Sequence, residues 1–216
     1  MVTIKIKEKF KRSKYEKEYW ANNLLVCGID EVGRSCLAGP VVAAAAILKP
    51  YAKHKWLKDS KLLTYDQRYT VYKWLLKNCY YAVGIINHRT INSDNIYYAT
   101  LQAMKRAVTQ LLCLPLETRP SIILIDAMPV TLSLDIPIMH FPFGERQSPN
   151  IAAASIIAKV TRDKLMERLD AEFPYYHFKS NKGYGTPPHK KALRAVSHCI
   201  MHRIRFLSPV YNYKIN

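Results

Sequence analysis

Two adjacent acids, Asp30 and Glu31, follow a short apolar run and precede a glycine turn in the stretch GIDEVGRSCLAGPVVAAAAIL. Short apolar runs bounded by turn residues are typical of buried strands, so residues 23–29 and 40–48 are predicted to form two neighbouring strands. Successive side chains of a regular strand point to opposite faces of the sheet. Both acids can therefore serve one site only if the strand ends or twists at Asp30, as Gly33 permits, and we expect the strand to end there.

The rest of the chain predicts helices and further strands in turn. Strands are expected at residues 80–86, 121–127 and 137–143. Helices are expected at residues 11–22, 65–77, about 93–112 and 150–169, and a loop leading into a helix at residues 183–196. The long helix at about 93–112 is expected to start at a cap and to bury one face, with these residues in the two roles: Asn92 or Ser93 as the cap, and Ile96, Leu101, Met104, Val108 and Leu111 on the inner side.

This order of elements predicts an α/β fold in a single domain. The expected architecture is a mixed five-stranded sheet flanked by helices over about residues 23–173, with a small helical C-terminal appendage over about residues 174–216.

The charge of the chain favours a polyanionic partner. Its 33 Lys and Arg residues outnumber 16 Asp and Glu residues, for a net charge of +17. Nucleic acid is the partner that such a surplus most favours, although a basic protein that is merely soluble fits the same count. The composition is 49% hydrophobic, which excludes a disordered chain.

The sequence carries no sign of a secreted or membrane protein. Its five cysteines are odd in number and scattered, without the spacing of a zinc site or a disulfide framework. No apolar stretch is long enough for a signal peptide or a membrane span. We expect a cytoplasmic protein with no membrane contact.

Four acids are the candidates for a metal centre. Asp30 and Asp126 each end a predicted strand, Glu31 follows the first of them, and Asp163 lies one turn beyond Lys159 on the helix at 150–169. Carboxylates gathered at low dielectric repel one another and need a counterion, and hard oxygen ligands select magnesium or manganese. Two such ions can activate a water and stabilise the leaving oxygen of a phosphodiester.

Each candidate also has a simpler reading. An aspartate after a strand is often a helix cap or a surface turn residue. Asp163 can pair with Lys159 or Lys164 on its own helix. Tyr184 is one of 15 tyrosines, and Lys61 in isolation is an ordinary surface charge.

Six segments, in order from residue 28 to residue 210, resemble one family. They are GIDEVGRSCLAGPVV, DSKLLT, NIYYATLQAM, ASIIAKVTRDKLM, NKGYGTPPH and HRIRFLSPV. Each is similar to a signature of the type 2 ribonucleases H, the bacterial ribonuclease HII group.

The resemblance implies a ribonuclease-H-like fold and an activity. A family member cuts the RNA strand of RNA–DNA hybrids and nicks DNA 5′ of embedded ribonucleotides, with Mn²⁺ or Mg²⁺, two ions in the substrate complex, and as a monomer. The catalytic and metal-binding acids would be Asp30, Glu31, Asp126 and Asp163. The substrate-binding residues would be Gly33, Arg34 and Ser35 at the ribose 2′-hydroxyl, Tyr184 at the sugar of the RNA–DNA junction, and Lys61 at a phosphate.

The chain departs from the family pattern at several positions. Ser35 stands where glycine is usual, and Ala127 and Met128 replace a common Gly-Asn pair. Phe143 and Glu145 stand at the lysine and aspartate of a Lys-Gly-Asp segment.

Three alternatives stay open at this stage. The first is a hybrid-specific ribonuclease H without activity on single ribonucleotides, which Ser35 favours. The second is a hybrid-binding protein whose metal site has decayed, although all four acids are intact. The third is an RNA-packaging protein explained by charge alone, which leaves the ordered motifs unexplained.

Ser35→Gly tests the effect of the unusual serine. A side chain at a tight backbone approach to the ribose crowds the sugar. We expect the glycine variant to cut a duplex with one ribonucleotide faster, relative to a long hybrid, than the wild type does. An unchanged ratio of the two cleavage rates contradicts this interpretation.

Overall fold

The computed structural model describes residues 13–115, 119–131 and 135–211. Its sheet has the strand order β3-β2-β1-β4-β5, with β1–β2 and β2–β3 antiparallel and β1–β4 and β4–β5 parallel. The strands are β1 (Leu25–Val32), β2 (Val41–Leu48), β3 (Cys79–Ile86), β4 (Pro120–Asp126) and β5 (Ile138–Phe141). The predicted mixed five-stranded sheet flanked by helices is therefore confirmed.

Helices cover the sheet and form the C-terminal part of the chain. The longer helices are α1 (Lys14–Ala21), α2 (Tyr65–Asn78), α4 (Ile96–Leu112), α6 (Pro149–Glu172) and α8 (Pro187–Val196); the shorter ones are α3 (His88–Ser93), α5 (Gly144–Gln147), α7 (Phe178–Asn181) and α9 (Ser208–Tyr211). Among the described residues, no helix is both long and apolar enough to cross a membrane.

Small side chains let helices approach both faces of the sheet. Every residue of β2 is buried, and its alanines alternate between two cores. Ala43 and Ala45 belong to the core under α4, whereas Ala44 and Ala46 belong to the core under α2 and α6. A strand buried on both faces reads as a continuous apolar run, as this one does.

The helix predicted at 93–112 is wrong at its start. Asn95 has a φ of 116° and separates α3 from α4, and its side chain accepts hydrogen bonds from the amides of Tyr97 and Tyr98. Asn95 therefore replaces the predicted Asn92 or Ser93 cap. Of the predicted inner face, Met104, Val108 and Leu111 are fully buried, and Ile96 and Leu101 pack against them half-buried.

The other predicted helices are displaced by a few residues at their ends. The first begins at Lys14, and residues 11 and 12 of its prediction lie outside the described residues. The helix at 150–169 extends from Pro149 to Glu172. Ser148 caps it, because its hydroxyl accepts a hydrogen bond from the amide of Ile151.

The C-terminal elements have an apolar cluster of their own. Phe178 of α7, Leu193 of α8 and Val210 of α9 are buried there against Met166 of α6 and Leu37. The division of the chain into a core at about 23–173 and an appendage beyond it stays a prediction.

Gly28 sets the distance between β1 and α6. A Cβ added to Gly28 would lie 2.2 Å from both the carbonyl carbon of Asn150 and the amide nitrogen of Ile151. Backbone atoms cannot move aside as the end of a side chain can. The start of α6 is thereby held against the strand that carries Asp30.

Gly28→Ala is expected to destabilise the fold by about 3 kcal/mol or more, because overpacking against backbone forces the helix away from the sheet. Urea unfolding measures the change. Gly185→Ala is the matched control, since the nearest atoms to its Cβ would belong to side chains, Leu37 at 3.1 Å and Lys190 at 3.4 Å. We expect the control to lose less than about 1 kcal/mol. Equal losses would contradict the role given to Gly28.

Candidate active site

A crevice opens where β1 and β4 part. The two strands are paired as far as Ile29 and Ile125, whereas β1 stays paired with β2 through Val32. Asp30 and Asp126 each follow the last residue that joins β1 to β4. The two carboxylates therefore lie side by side at the carboxyl ends of parallel strands, where ligands bind in open α/β sheets.

The prediction that β1 ends at Asp30 is wrong. Antiparallel pairing with β2 continues through Glu31 and Val32, so the two acids leave a regular strand in succession. Their electrostatic coupling nevertheless persists, because Glu31 raises the pKa of Asp30. The crevice comes from the loss of the β4 partner rather than from the end of the strand.

Asp30 is the most strongly perturbed acid of this group. Burial raises its pKa well above the usual range, and the charges of Glu31 and Asp126 raise it further. The hydroxyl of Ser155 on α6 and the amide of Glu31 oppose this shift through hydrogen bonds to the carboxylate. Ionisation of Asp30 is therefore unfavourable, because two other carboxylates lie next to it.

Glu31 has one satisfied oxygen and one unsatisfied oxygen. Its Oε1 accepts a hydrogen bond from Arg34 at 3.2 Å. Its Oε2 is buried and has no hydrogen-bond partner within the described ranges. Burial raises the pKa of Glu31, and Arg34 opposes the rise. A buried carboxylate oxygen without a hydrogen-bond partner is free to act as a ligand of a cation.

Asp126 is held by the start of α5. Its Oδ1 accepts a hydrogen bond from the amide of Gly144 at 2.8 Å. Burial raises the pKa of Asp126, and this hydrogen bond and the charge of Lys61 oppose the rise. Lys61, although exposed, also lowers the pKa of Glu31, so the structure brings this predicted residue close to the acids.

Asp163 is engaged by two cations instead. Lys159 Nζ lies 2.8 Å from its Oδ1, and Arg68 lies 3.8 Å from its Oδ2. The pairing with Lys159 is the simpler reading that the sequence left open. Over residues 13–115, 119–131 and 135–211, no three or more His, Cys, Asp or Glu side chains stand grouped as metal ligands.

The donor set nevertheless fits a divalent cation. Asp30, Glu31 and Asp126 supply only hard oxygen ligands, which suit magnesium or manganese rather than zinc. The charges of Glu31 and Asp126 raise the pKa of Asp30, Asp126 raises that of Glu31, and one oxygen of Glu31 lacks a partner among the residues that the structure describes. A cation between them would relieve both features.

The turn after β1 is shaped around a buried arginine. Gly33 has a φ of 91°, and a Cβ there would lie 2.2 Å from Nε of Arg162. Arg34 and Ser35 follow it and are exposed. Arg162 is fully buried and donates to the carbonyl oxygens of Pro40, Ala38 and Lys182 at 2.9, 3.1 and 2.7 Å.

Tyr184 lies beside this turn and near Asp163. Lys159 Nζ is 5.4 Å and the guanidinium of Arg162 is 5.8 Å from the centre of its ring. Burial raises the pKa of Tyr184 to about 12, so the hydroxyl is neutral at physiological pH. Both cations are close enough to the ring for a cation–π attraction, which holds the half-buried tyrosine in place.

Sequence reasoning missed several residues of the site. Glu145 and Asp59 are buried acids, and both are electrostatically coupled to Asp126. The position of Glu145, opposite an aspartate of the family pattern, was the available signal. Ser155 and Arg162 lie within the matching helix segment, but their contacts depend on tertiary packing that no local pattern shows.

The comparisons with known proteins agree with the resemblance. The family model described as Ribonuclease HII matches residues 27–208. A protein named Ribonuclease HII from Lactobacillus delbrueckii subsp. bulgaricus is 44% identical over 208 residues, which cover 95% of this chain and 78% of that protein.

Two solved structures share the fold. The ribonuclease H2 from Pyrococcus horikoshii is 23% identical with a TM-score of 0.70, and the match covers 88% of this chain and 100% of that one. The structure of Bst-RNase HIII in complex with Mn²⁺ is 19% identical with a TM-score of 0.63, over 88% of this chain and 71% of that one.

Asp30→Asn is expected to stabilise the metal-free protein. A carboxyl whose pKa is raised by folding favours the folded state when protonated and opposes it when ionised. The stability that the protonated carboxyl contributes is therefore lost as the pH rises from its ordinary pKa, near 4, through its raised pKa in the folded protein. Near neutral pH, we expect the free energy of unfolding of the variant to exceed that of the wild type by about 1 kcal/mol or more. This difference should shrink as the pH falls towards about 4.

Urea unfolding in the presence of a chelator, across that pH range, measures the difference. Asp66→Asn is the control, because Asp66 is an exposed acid in the first turn of α2. We expect the control to lose a few tenths of a kcal/mol through the helix dipole. A metal-free Asp30→Asn protein that is less stable than the wild type at neutral pH would contradict the repulsion described above.

Proposed function

Because this chain belongs to the ribonuclease HII family, and is a ribonuclease H that acts as an endonuclease on RNA–DNA hybrids, we propose that it also nicks duplex DNA at single embedded ribonucleotides. The cut falls 5′ of the ribonucleotide and leaves 3′-hydroxyl and 5′-phosphate ends. This incision would begin ribonucleotide excision.

One observation carries the proposal. Asp30, Glu31 and Asp126 are buried or half-buried at one crevice, where Glu31 and Asp126 raise the pKa of Asp30 and Asp126 raises that of Glu31, as expected of carboxylates that hold a cation. The net charge of +17 suits the binding of a polyanion such as nucleic acid.

The reaction depends on divalent metal ions, and we propose Mn²⁺ or Mg²⁺, two ions in the substrate complex. A structural relative was solved with Mn²⁺. When bound, such ions lower the pKa of a water and stabilise the charge that develops on a phosphoryl group. Asp30 and Asp126 would hold or bridge them, with Glu31 and Asp163 completing the ligand set.

One of these acids must change partners to do so. Glu31 can offer its Oε2 while Oε1 stays with Arg34, whereas Asp163 would release Lys159 and Arg68. The freed cations lie next to the crevice, where a substrate phosphate can take the place of the carboxylate. The ion pairs thus hold the acids in position and neutralise them until substrate and metal arrive.

The sugar would be read between the turn and the tyrosine. The backbone of Gly33, Arg34 and Ser35 would approach the 2′-hydroxyl, the group that separates RNA from DNA at a single nucleotide. Tyr184 would pack against the sugar of the junction, and Lys61 would contact a phosphate. A hybrid-specific enzyme is the second candidate, because the exposed side chain of Ser35 lies in this turn.

We further propose that the protein acts as a monomer in the cytoplasm. Each site residue named above comes from one chain, so the proposed reaction needs no second copy.

The test is cleavage of a DNA duplex that carries one ribonucleotide, with Mg²⁺ or Mn²⁺. We expect the wild type to cut 5′ of the ribonucleotide. Asp30→Asn should lose about 100-fold or more in rate, since metal-assisted charge stabilisation is worth several kcal/mol. Asp66→Asn is the control and should cut normally.

The other outcomes decide between the candidates. Cutting of long hybrids alone supports the hybrid-specific enzyme and contradicts nicking at single ribonucleotides. Binding of the duplex with no cutting in either metal contradicts a catalytic role and supports a hybrid-binding protein.

A further inference from the structure

Two buried histidines face each other away from the carboxylates. His189 lies in the first turn of α8, and His202 lies between α8 and α9. Their side chains are 0% and 1% exposed, and their Nε2 atoms are 3.0 Å apart. Buried polar pairs of this kind must satisfy both rings at once.

The partners of the two rings assign a single tautomer to each. The amide of Cys199 donates to Nδ1 of His202 at 3.1 Å, so the ring proton of His202 lies on Nε2. That N–H donates to Nε2 of His189, whose own proton therefore lies on Nδ1. Nδ1 of His189 donates in turn to the carbonyl oxygen of Tyr184 at 2.8 Å.

Aromatic rings seal this chain of hydrogen bonds from water. Tyr176 lies 4.7 Å from the ring of His202, and Phe178 lies 5.6 Å from both imidazoles. Burial lowers the pKa of His189, and burial and His189 lower that of His202 to about 3. Both rings are therefore neutral at physiological pH, as the assigned tautomers require.

The next residue, Arg203, holds the turn after β1 and the segment that follows it. Arg203 is fully buried and donates to the carbonyl oxygen of Arg34 at 3.0 Å, and to that of Gly39 at 3.0 and 2.9 Å. Its amide donates to the carbonyl oxygen of Leu37 at 2.8 Å. Consecutive residues, His202 and Arg203, thus fix the two segments proposed to read the sugar.

We propose that His189 and His202 are positioning residues that set Tyr184 at a fixed distance from the Gly33–Ser35 turn. The chain of hydrogen bonds anchors the backbone of Tyr184, while Arg203 anchors the turn. The spacing between ring and turn then determines how well a ribonucleotide is preferred over a deoxyribonucleotide. This inference rests on the function proposed above, and it names what enforces the sugar preference at that site.

Two substitutions at position 189 separate hydrogen bonding from packing. His189→Asn keeps an N–H where Nδ1 stands, and so keeps the bond to the carbonyl of Tyr184. His189→Gln reaches the position of Nε2 and loses that bond. A packing role predicts the reverse ranking, because glutamine is closer to histidine in size.

The measurement is kcat and KM on the duplex with one ribonucleotide, beside binding of a duplex without any. We expect His189→Gln to lose about tenfold in kcat/KM, mainly through KM, because a small misplacement of a positioning group has a large effect. His189→Asn should retain a higher kcat/KM than His189→Gln does. Binding of the ribonucleotide-free duplex, which depends on phosphate contacts, should stay within about twofold in both.

Leu193→Ala is the matched control, because it removes packing from the same C-terminal cluster without touching the hydrogen bonds. Its KM should stay at the wild-type value although its stability falls. Should His189→Gln not fold, His202→Gln and His202→Leu give the same comparison, with the donor to His189 kept in the first and lost in the second.

The outcomes distinguish a failure of the proposed nicking activity from a failure of the positioning role of the histidines. A wild type that does not cut at a single ribonucleotide overturns the proposed function. A wild type that cuts, with equal losses in His189→Asn and His189→Gln, overturns the positioning role. A KM rise in Leu193→Ala equal to that of His189→Gln overturns it as well, because general loosening would then suffice.

Discussion

Electrostatic repulsion among carboxylates at the carboxyl end of β1 is the constraint on which the candidate site depends. Pairing of β1 with β4 stops at Ile29 and Ile125, and the next residue of each strand is an aspartate. Burial raises the pKa of Asp30, and the charges of Glu31 and Asp126 raise it further because water screens them poorly there. The site is stable only because hydrogen bonds and nearby cations oppose that repulsion.

Two buried arginines beside the acids are stabilised by backbone carbonyl oxygens rather than by carboxylates. Arg162 and Arg203 are fully buried, and their hydrogen-bond partners are backbone carbonyl oxygens of the segments that border the crevice. A guanidinium has five donors in a rigid fork, so one side chain can fix several carbonyls at once. The loops proposed to read the sugar are thereby held by charge-assisted bonds, which resist movement more than neutral ones do.

Much of the fold followed from local patterns. The five strands and the long helix that carries Asp163 were predicted within a few residues, because apolar runs and helix formers decide such elements locally. The split at Asn95 was missed, since its side chain caps α4 from a backbone conformation that few residues adopt. The end of β1 was misplaced because pairing with β2, a tertiary contact, carries the strand to Val32.

The site could be predicted only in part. Asp30, Glu31 and Asp126 meet as expected because strand ends converge in space, and the ordered motifs made them candidates. Glu145 beside Asp126 was missed because its coupling depends on how α5 folds back over β4. The histidine pair was missed for a related reason: its members lie 13 positions apart in the sequence, and no spacing rule connects them.

In the proposed reaction a metal ion contacts the scissile phosphate, and sulfur substitution at that phosphate detects such a contact. The measurement is the rate of cleavage, in Mg²⁺ and in Mn²⁺, of a duplex with one ribonucleotide in which sulfur replaces a non-bridging oxygen of the scissile phosphate. Mn²⁺ accepts sulfur as a ligand better than Mg²⁺ does. For one of the two phosphorothioate isomers, we therefore expect the cleavage rate to fall about tenfold or more in Mg²⁺ and to recover in Mn²⁺. An equal sulfur effect in the two metals, for both isomers, would contradict it.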